Sequence, residues 1–268
     1  MKTSNKSEKI RLHKDEVHFW NIDFDSAPPS MLLLPFSQIF SADEVQYAAY
    51  CVESRKREFL ISRFSLRILL TDYFPDVPAQ DWKFGTTSLG KPLVIGPIDI
   101  SPVQFNVSHS NNRAIIAFSL TKALGVDVEH VRKIKAVQLV SESYFSTEEI
   151  VTMTKADPQE VHHVFFNYWT LKESFSKALG EGLSFPLDKV TFNVAKPSDI
   201  EKLSCITVDL ADLRQTADGF WTFKLLNPVP EYQVAFAVLS DSNRVVRIIE
   251  AGTFSDWNSV IDMNKSAS

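Results

Sequence analysis

An α+β fold of two similar subdomains is predicted by three features of this 268-residue sequence. A helical stretch covers 41 to 73, short period-two segments follow from 82 to 128, and both textures recur between 135 and 249. The recurrence is one of element order, not of strict sequence, and it implies a pseudo-twofold arrangement. Polar ends lacking apolar anchors mark a flexible N-terminal tail at 1–16 and a C-terminal tail at 258–268. The body then divides into subdomains 17–122 and 123–257.

A first strand is expected near 17–22. Ser41-Ala42-Asp43-Glu44 supplies a capping hydroxyl and an acidic first turn, opening a helix that runs toward Val52. Residues 55–73 form a second, arginine-bearing helix with Leu60 and Phe64 one turn apart, and Asp76-Val77-Pro78 ends it. Strands follow at 82–84, 92–95, 105–108, 113–119 and 124–128. The second half repeats the order, with helices at 135–144, 146–154 and 158–180 and strands at 189–194, 204–208, 219–226, 232–239 and 244–249.

A 44% hydrophobic fraction with 20 Phe fills a globular core. The net charge of -5 speaks against a nucleic-acid partner, because phosphate neutralisation needs clustered Lys and Arg. No segment runs for ~18 apolar residues and the polar N-terminus has no signal-peptide pattern, so a cytoplasmic protein without membrane association is expected. Cys51 and Cys205 lack metal or disulfide spacing, and His162 and His163, adjacent on a helix, diverge by about 100°.

In Leu124-Gly125-Val126-Asp127-Val128-Glu129 a strand sends both valines to one face and both carboxylates to the other. Like charges held together repel, which a hard divalent cation reverses; a half-solvated strand alternates in the same way. On the helix ahead, Val164, Tyr168, Leu171, Phe175 and Ala178 form the buried seam, and Glu173 lies opposite it with Trp169 and Lys177. Glu173 and Lys177 also fit a surface pair worth ~0.2–0.5 kcal/mol, but Trp169 on the same stripe points to a covered face. Ser108 and Ser110 lack a GxSxG elbow, which excludes a hydrolase nucleophile of that kind. Gly90-Lys91-Pro92 lifts a lysine to a strand entrance, and Arg57, Arg63 and Arg67 offer guanidinium groups from one helix.

The blocks GKPL, FNVSHS, GVDVE and FFNYWTLKESFSKALGEGL, in this order, resemble the signature of the Sfp-type 4′-phosphopantetheinyl transferases, the large monomeric class of the holo-(acyl-carrier-protein) synthase superfamily. The resemblance runs from about Arg57 to Leu183. It implies a two-part α+β fold with the cofactor between the halves, and transfer of 4′-phosphopantetheine from coenzyme A to a serine of apo acyl or peptidyl carrier proteins. It also implies that Asp127, Glu129 and Glu173 bind Mg2+ or Mn2+, and that Lys177 contacts the phosphates, with Glu173, Asp127 and Lys177 the catalytic set. Arg57, Lys91, Ser108 and His109 would bind the nucleotide end. Val128 stands where some relatives carry a third acid, which implies a water at that position on the metal. The serine proton goes to Glu173 or to a metal-bound water. A noncatalytic coenzyme A or carrier-binding module is the other reading; it needs the basic residues but not the three carboxylates. Ile150, Val151 and Met153 are expected to edge the carrier-docking surface.

Overall fold

The computed structural model describes residues 10–28, 39–100, 103–182, 185–194, 206–209, 218–254 and 257. Most of the expected N-terminal tail, all of the C-terminal tail, residues 204 and 205 of an expected strand, and Leu183 lie outside these. The first half runs β1 (Glu16–Asp23), α1 (Ala42–Tyr50), α2 (Glu53–Tyr73), β2 (Lys83–Thr86), β3 (Pro92–Gly96), β4 (Gln104–Ser110) and β5 (Arg113–Ser119). The second runs β6 (Ala123–His130), α3 (Val137–Tyr144), α4 (Thr147–Thr154), α5 (Val161–Leu179), β7 (Thr191–Val194), β8 (Ile206–Asp209), β9 (Phe220–Leu226) and β10 (Tyr232–Ser240), and β11 (Arg247–Phe254) follows.

Two main sheets have the orders β11-β1-β5-β4 and β6-β10-β9, with β2-β3 and β7-β8 as separate hairpins. β1 lies antiparallel to β5 as β6 does to β10, and β4 flanks β5 as β9 flanks β10. One unit, strand, helices, hairpin, strand and strand, therefore occurs twice. The α+β expectation holds, and the recurrence is present in the topology. β11 departs from it by running parallel to β1, with Val17 opposite Ile248. A strand from the expected C-terminal subdomain thus completes the sheet of the first half.

Strand alternation sets the layers. Val17, Phe19, Ile115 and Ala117 from the first sheet meet Val126, Val128, Val234 and Phe236 from the second, with the Phe19 and Phe236 rings 5.2 Å apart. The opposite face of the first sheet packs on α2 through Leu60, Phe64, Leu70, Phe105 and Phe118. That of the second packs on the C-terminal helices through Tyr168, Leu171, Phe175, Ala235 and Ala237. Of the expected α5 seam, Tyr168, Leu171, Phe175 and Ala178 are buried and Val164 is half-buried. No helix among the described residues is long and apolar enough to cross a membrane.

The helix α4 corrects one expectation. Ser146 and Glu149 form a capping box, and the turn they fix points Glu149 and Met153, four residues apart, into the core. Met153 is 5% exposed and packs in the C-terminal core, so it is no docking residue; Val151, on the other side, is exposed. Glu149 meets Lys172 of α5 at 2.8 Å with both side chains fully buried. Lys172 Nζ donates also to the Leu187 and Val190 carbonyls, while Glu149 accepts from the Phe192 and Ser146 amides. Every charge in this pair is answered, and α4, α5 and the approach to β7 are tied together. Glu149→Ala leaves Lys172 buried and unpaired, with an expected loss of about 3–5 kcal/mol in urea denaturation; Glu149→Leu with Lys172→Met should recover most of it. A loss under about 1 kcal/mol for the single variant would contradict this account.

Candidate active site

The site is built on the face of β6 that carries Gly125, Asp127 and Glu129, opposite Val126 and Val128, as the alternation predicts. Helix α5 crosses this face. A Cβ on Gly125 would lie 1.9 Å from the Ser174 carbonyl oxygen and 2.5 Å from the Ala178 nitrogen, so only glycine admits the helix backbone. That approach sets the Glu173 and Lys177 stripe beside the β6 carboxylates.

The edge of β6 away from β10 has backbone donors to satisfy, and β4 satisfies them with side chains. Asn106 Oδ1 accepts from the Val126 amide at 2.9 Å, Ser108 Oγ from Val128 at 3.2 Å and Ser110 Oγ from His130 at 3.2 Å. The same hydroxyls donate to the acids, Ser108 to Asp127 Oδ1 and Ser110 to Glu129 Oε2, both at 2.8 Å. This zipper joins the two sheets and orients both carboxylates. At ~0.5–1.5 kcal/mol per bond it also contributes to stability.

Lys177 Nζ lies 2.7 Å from Asp127 Oδ1 and 2.8 Å from Ser108 Oγ. Burial pushes the Asp127 carboxyl above the usual carboxylate range, and the Lys177 ammonium offsets this only in part. Glu173 is half-buried and pushed up to about 7, first by burial and then by the Asp127 charge. Glu129 is half-buried and meets the exposed Arg132 at 3.2 Å. Among the described residues no three acidic, His or Cys side chains stand at metal-ligating separations. The donor set nevertheless fits a hard cation, because Asp127 Oδ2 and Glu173 Oε1 are buried without any hydrogen-bond partner.

Beside these carboxylates, between α2 and β4, opens a cavity of about 320 Å³ whose walls include Arg55, Glu58, Phe59, Arg63, His109 and Lys177. Arg63 is braced by Glu44 at 3.1 Å and lies over the Phe84 ring. His109 stands 3.9 Å from Glu58, and burial lowers its pKa despite that carboxylate.

The structure thus brings together Asp127, Ser108 and Lys177, sets Glu129 and Glu173 beside them, and lines the cavity with His109 and Lys177. It does not bring Arg57 or Lys91 into the cavity wall. Arg57 lies about 200° around α2 from Arg55 and donates to the Phe24 carbonyl at 2.6 Å. Lys91 Nζ donates to the carbonyls of Leu124 and Ala178, at 3.1 and 2.8 Å, and burial lowers its pKa to about 8. There it latches the β2-β3 hairpin to the C-terminal turn of α5, where a cation is favoured. Arg55, Glu58 and Phe59 were missed, though they share one face of α2 at helical spacing; Asn106 and Ser110 were missed, though they share one face of β4 with Ser108.

The sequence model of the 4′-phosphopantetheinyl transferase superfamily matches residues 123–237, which include β6 and α5. The 4′-phosphopantetheinyl transferase HetI of Nostoc sp. is 32% identical over 180 residues, covering 67% of this chain and 75% of that protein. The chain belongs to this family. Two further members, the 4′-phosphopantetheinyl transferases Sfp and ffp of Bacillus subtilis, are 33% identical over 122 residues and 37% identical over 109. Those matches cover 45% and 40% of this chain and about half of each relative, 51% and 46%. In this family member Asp127, Glu129, Glu173 and Lys177 lie inside the matched span, while Arg55, Arg63 and His109 of the cavity wall come from the N-terminal half.

Gly125→Ala should force α5 off β6, with an expected cost of about 3 kcal/mol and a lower melting temperature. A melting temperature within 1–2 °C of wild type, on the order of what a ~0.5 kcal/mol surface change produces, would refute the close-approach account.

Proposed function

We propose that this chain transfers the 4′-phosphopantetheine arm of coenzyme A to a serine of an apo acyl or peptidyl carrier protein, releasing 3′,5′-ADP. One observation carries the reading: Lys177 reaches Asp127 and Ser108 while also lining the basic cavity, so a phosphate in that cavity lies beside the carboxylates.

The cavity walls bind the nucleotide. Arg55, Arg63 and His109 offer donors to its phosphates, and Phe59 offers an apolar face. Lys177 donates to the pyrophosphate oxygens on which charge grows as the bond breaks. The serine oxygen forms a new bond to the phosphorus of the arm, the pyrophosphate P–O bond breaks, and the leaving electron pair stays on 3′,5′-ADP. Glu173, half-buried beside Asp127, is the carboxylate placed to take the serine proton. Asp127, Glu129 and Glu173 would hold Mg2+, or Mn2+, which supplies charge neutralisation for the pyrophosphate when bound. Arg57 and Lys91 act from outside the cavity, Arg57 bracing α2 and Lys91 holding the hairpin to α5.

The proposed subdomains 17–122 and 123–257 then divide the labour, one holding the nucleotide and the other the carboxylates, with β11 spanning both. We infer that the monomer receives its carrier where the loop before α3 meets α3 and α4. Leu139 of α3 and Val151 of α4 are exposed apolar residues, and Arg132, Lys133 and Lys135 of the loop leading into α3 are exposed cations, a combination that complements an acidic helix.

Incubation with coenzyme A, magnesium and apo carrier proteins should add the arm, read by intact mass. Asp127→Ala and Glu173→Gln, shown folded by circular dichroism, should lower turnover by about 10²–10⁴-fold. Near-normal turnover in either variant at saturating magnesium would refute the assignment. Leu139→Asp should raise the apparent KM for the carrier about tenfold while leaving that for coenzyme A unchanged. Unaltered carrier kinetics would move the docking surface elsewhere.

A further inference from the structure

Lys177 is a cation already seated on Asp127. Its Nζ contacts Asp127 Oδ1 at 2.7 Å, and Ser108 Oγ at 2.8 Å completes the contact. The lysine side chain is 28% exposed and the aspartate 6%, so the lysine is the partner free to move. It rises from the last turn of α5 on a flexible stem and also forms part of the cavity wall. One ammonium therefore has two places to be.

The unpartnered Oδ2 of Asp127 offers a divalent ion a seat on the same carboxylate whose Oδ1 holds Lys177, and two cations on one buried carboxylate repel strongly. The ion's charge therefore drives Lys177 off Oδ1, and the space open to it is the cavity. The other charged or titratable groups of that wall are Arg55, Arg63, His109 and Glu58, and Glu58 already faces Arg55 at 4.0 Å and His109 at 3.9 Å. Without an anion there, the cavity receives the ammonium poorly. A pyrophosphate in the cavity reverses that sign.

Resting on the function proposed above, we infer that Lys177 and the divalent cation compete for Asp127, and that the coenzyme phosphates decide the competition by drawing Lys177 into the cavity. Ser108 keeps Asp127 in place during the exchange, since its hydroxyl donates to Oδ1 independently of the lysine. The metal alone then binds weakly, coenzyme raises its affinity, and by linkage the metal raises coenzyme affinity by the same factor. Charge is never left uncompensated at the buried aspartate.

The test is Mn2+ binding followed by loss of the free-ion electron paramagnetic resonance signal, without carrier protein, with and without coenzyme A. Without coenzyme, Lys177→Met should bind Mn2+ at least about tenfold more tightly than wild type. Lys177→Arg, which keeps the charge, should stay within about threefold of wild type. Coenzyme A should raise the Mn2+ affinity of wild type by a larger factor than that of Lys177→Met. Equal affinities of wild type and Lys177→Met without coenzyme, or equal enhancement by it, overturn the inference. Lys177→Gln gives the same comparison where the methionine variant fails to fold by circular dichroism. Adding Asp127→Asn to Lys177→Met separates the two levels of the argument: Mn2+ binding unaffected by it removes the metal assignment itself, whatever Lys177 does.

Discussion

The contact between α5 and β6 at Gly125 sets the terms for the rest of the molecule. A helix backbone rests directly on a strand backbone, with the Ser174 carbonyl where a Cβ would be. Such proximity shortens the reach from helix to strand enough for Lys177 to contact Asp127 and for the Glu173 carboxyl to feel its charge. It also leaves α5 buried nearly all around, so the helix needs a polar solution on every side. The Glu149–Lys172 pair is one, and the Ser176 hydroxyl on the Gly182 carbonyl is another. The strand is held from its far edge by Asn106, Ser108 and Ser110, which makes the two carboxylates part of a hydrogen-bonded seam between sheets.

Local periodicity carried much of this into the sequence. The alternation in GVDVE put both acids on one face, and the 3.6-residue seam of α5 put Glu173 and Lys177 on one stripe with Trp169, because those periods follow from backbone geometry. Trp169 on that stripe was the sign of a covered face, and it does pack against Tyr144 and Phe165. Which distant elements meet was not legible. The zipper depends on β4 lying along the open edge of β6, a tertiary fact, so nothing in FNVSHS itself marked Asn106, Ser108 and Ser110 as the residues that join the two sheets. Met153 was misplaced for a related reason: helix α4 is too short for its apolar residues to define a face, and the capping box that turns it inward matters only once Lys172 is there to meet Glu149. Lys91 was legible as a lysine at a strand entrance, but the two carbonyls it serves belong to other elements.

Two neighbouring residues of α5 show how the fold separates structure from chemistry. Lys172 and Glu173 are adjacent and both charged, and both are withdrawn from water by the same helix. Lys172 finds a carboxylate and two carbonyls, and Glu149 finds two amides in return, so nothing in that cluster calls for a further ligand. Glu173 and Asp127 each retain a buried oxygen with no partner, and Lys177 both contacts Asp127 and lines a cavity wide enough for a phosphate. Desolvation without compensation is destabilising, and a fold that satisfies one buried charge so fully while leaving the next one short concentrates that cost where an incoming ion and substrate can offset it. The same residue types in the same helix therefore serve opposite ends, and what distinguishes them is the count of donors and acceptors around each.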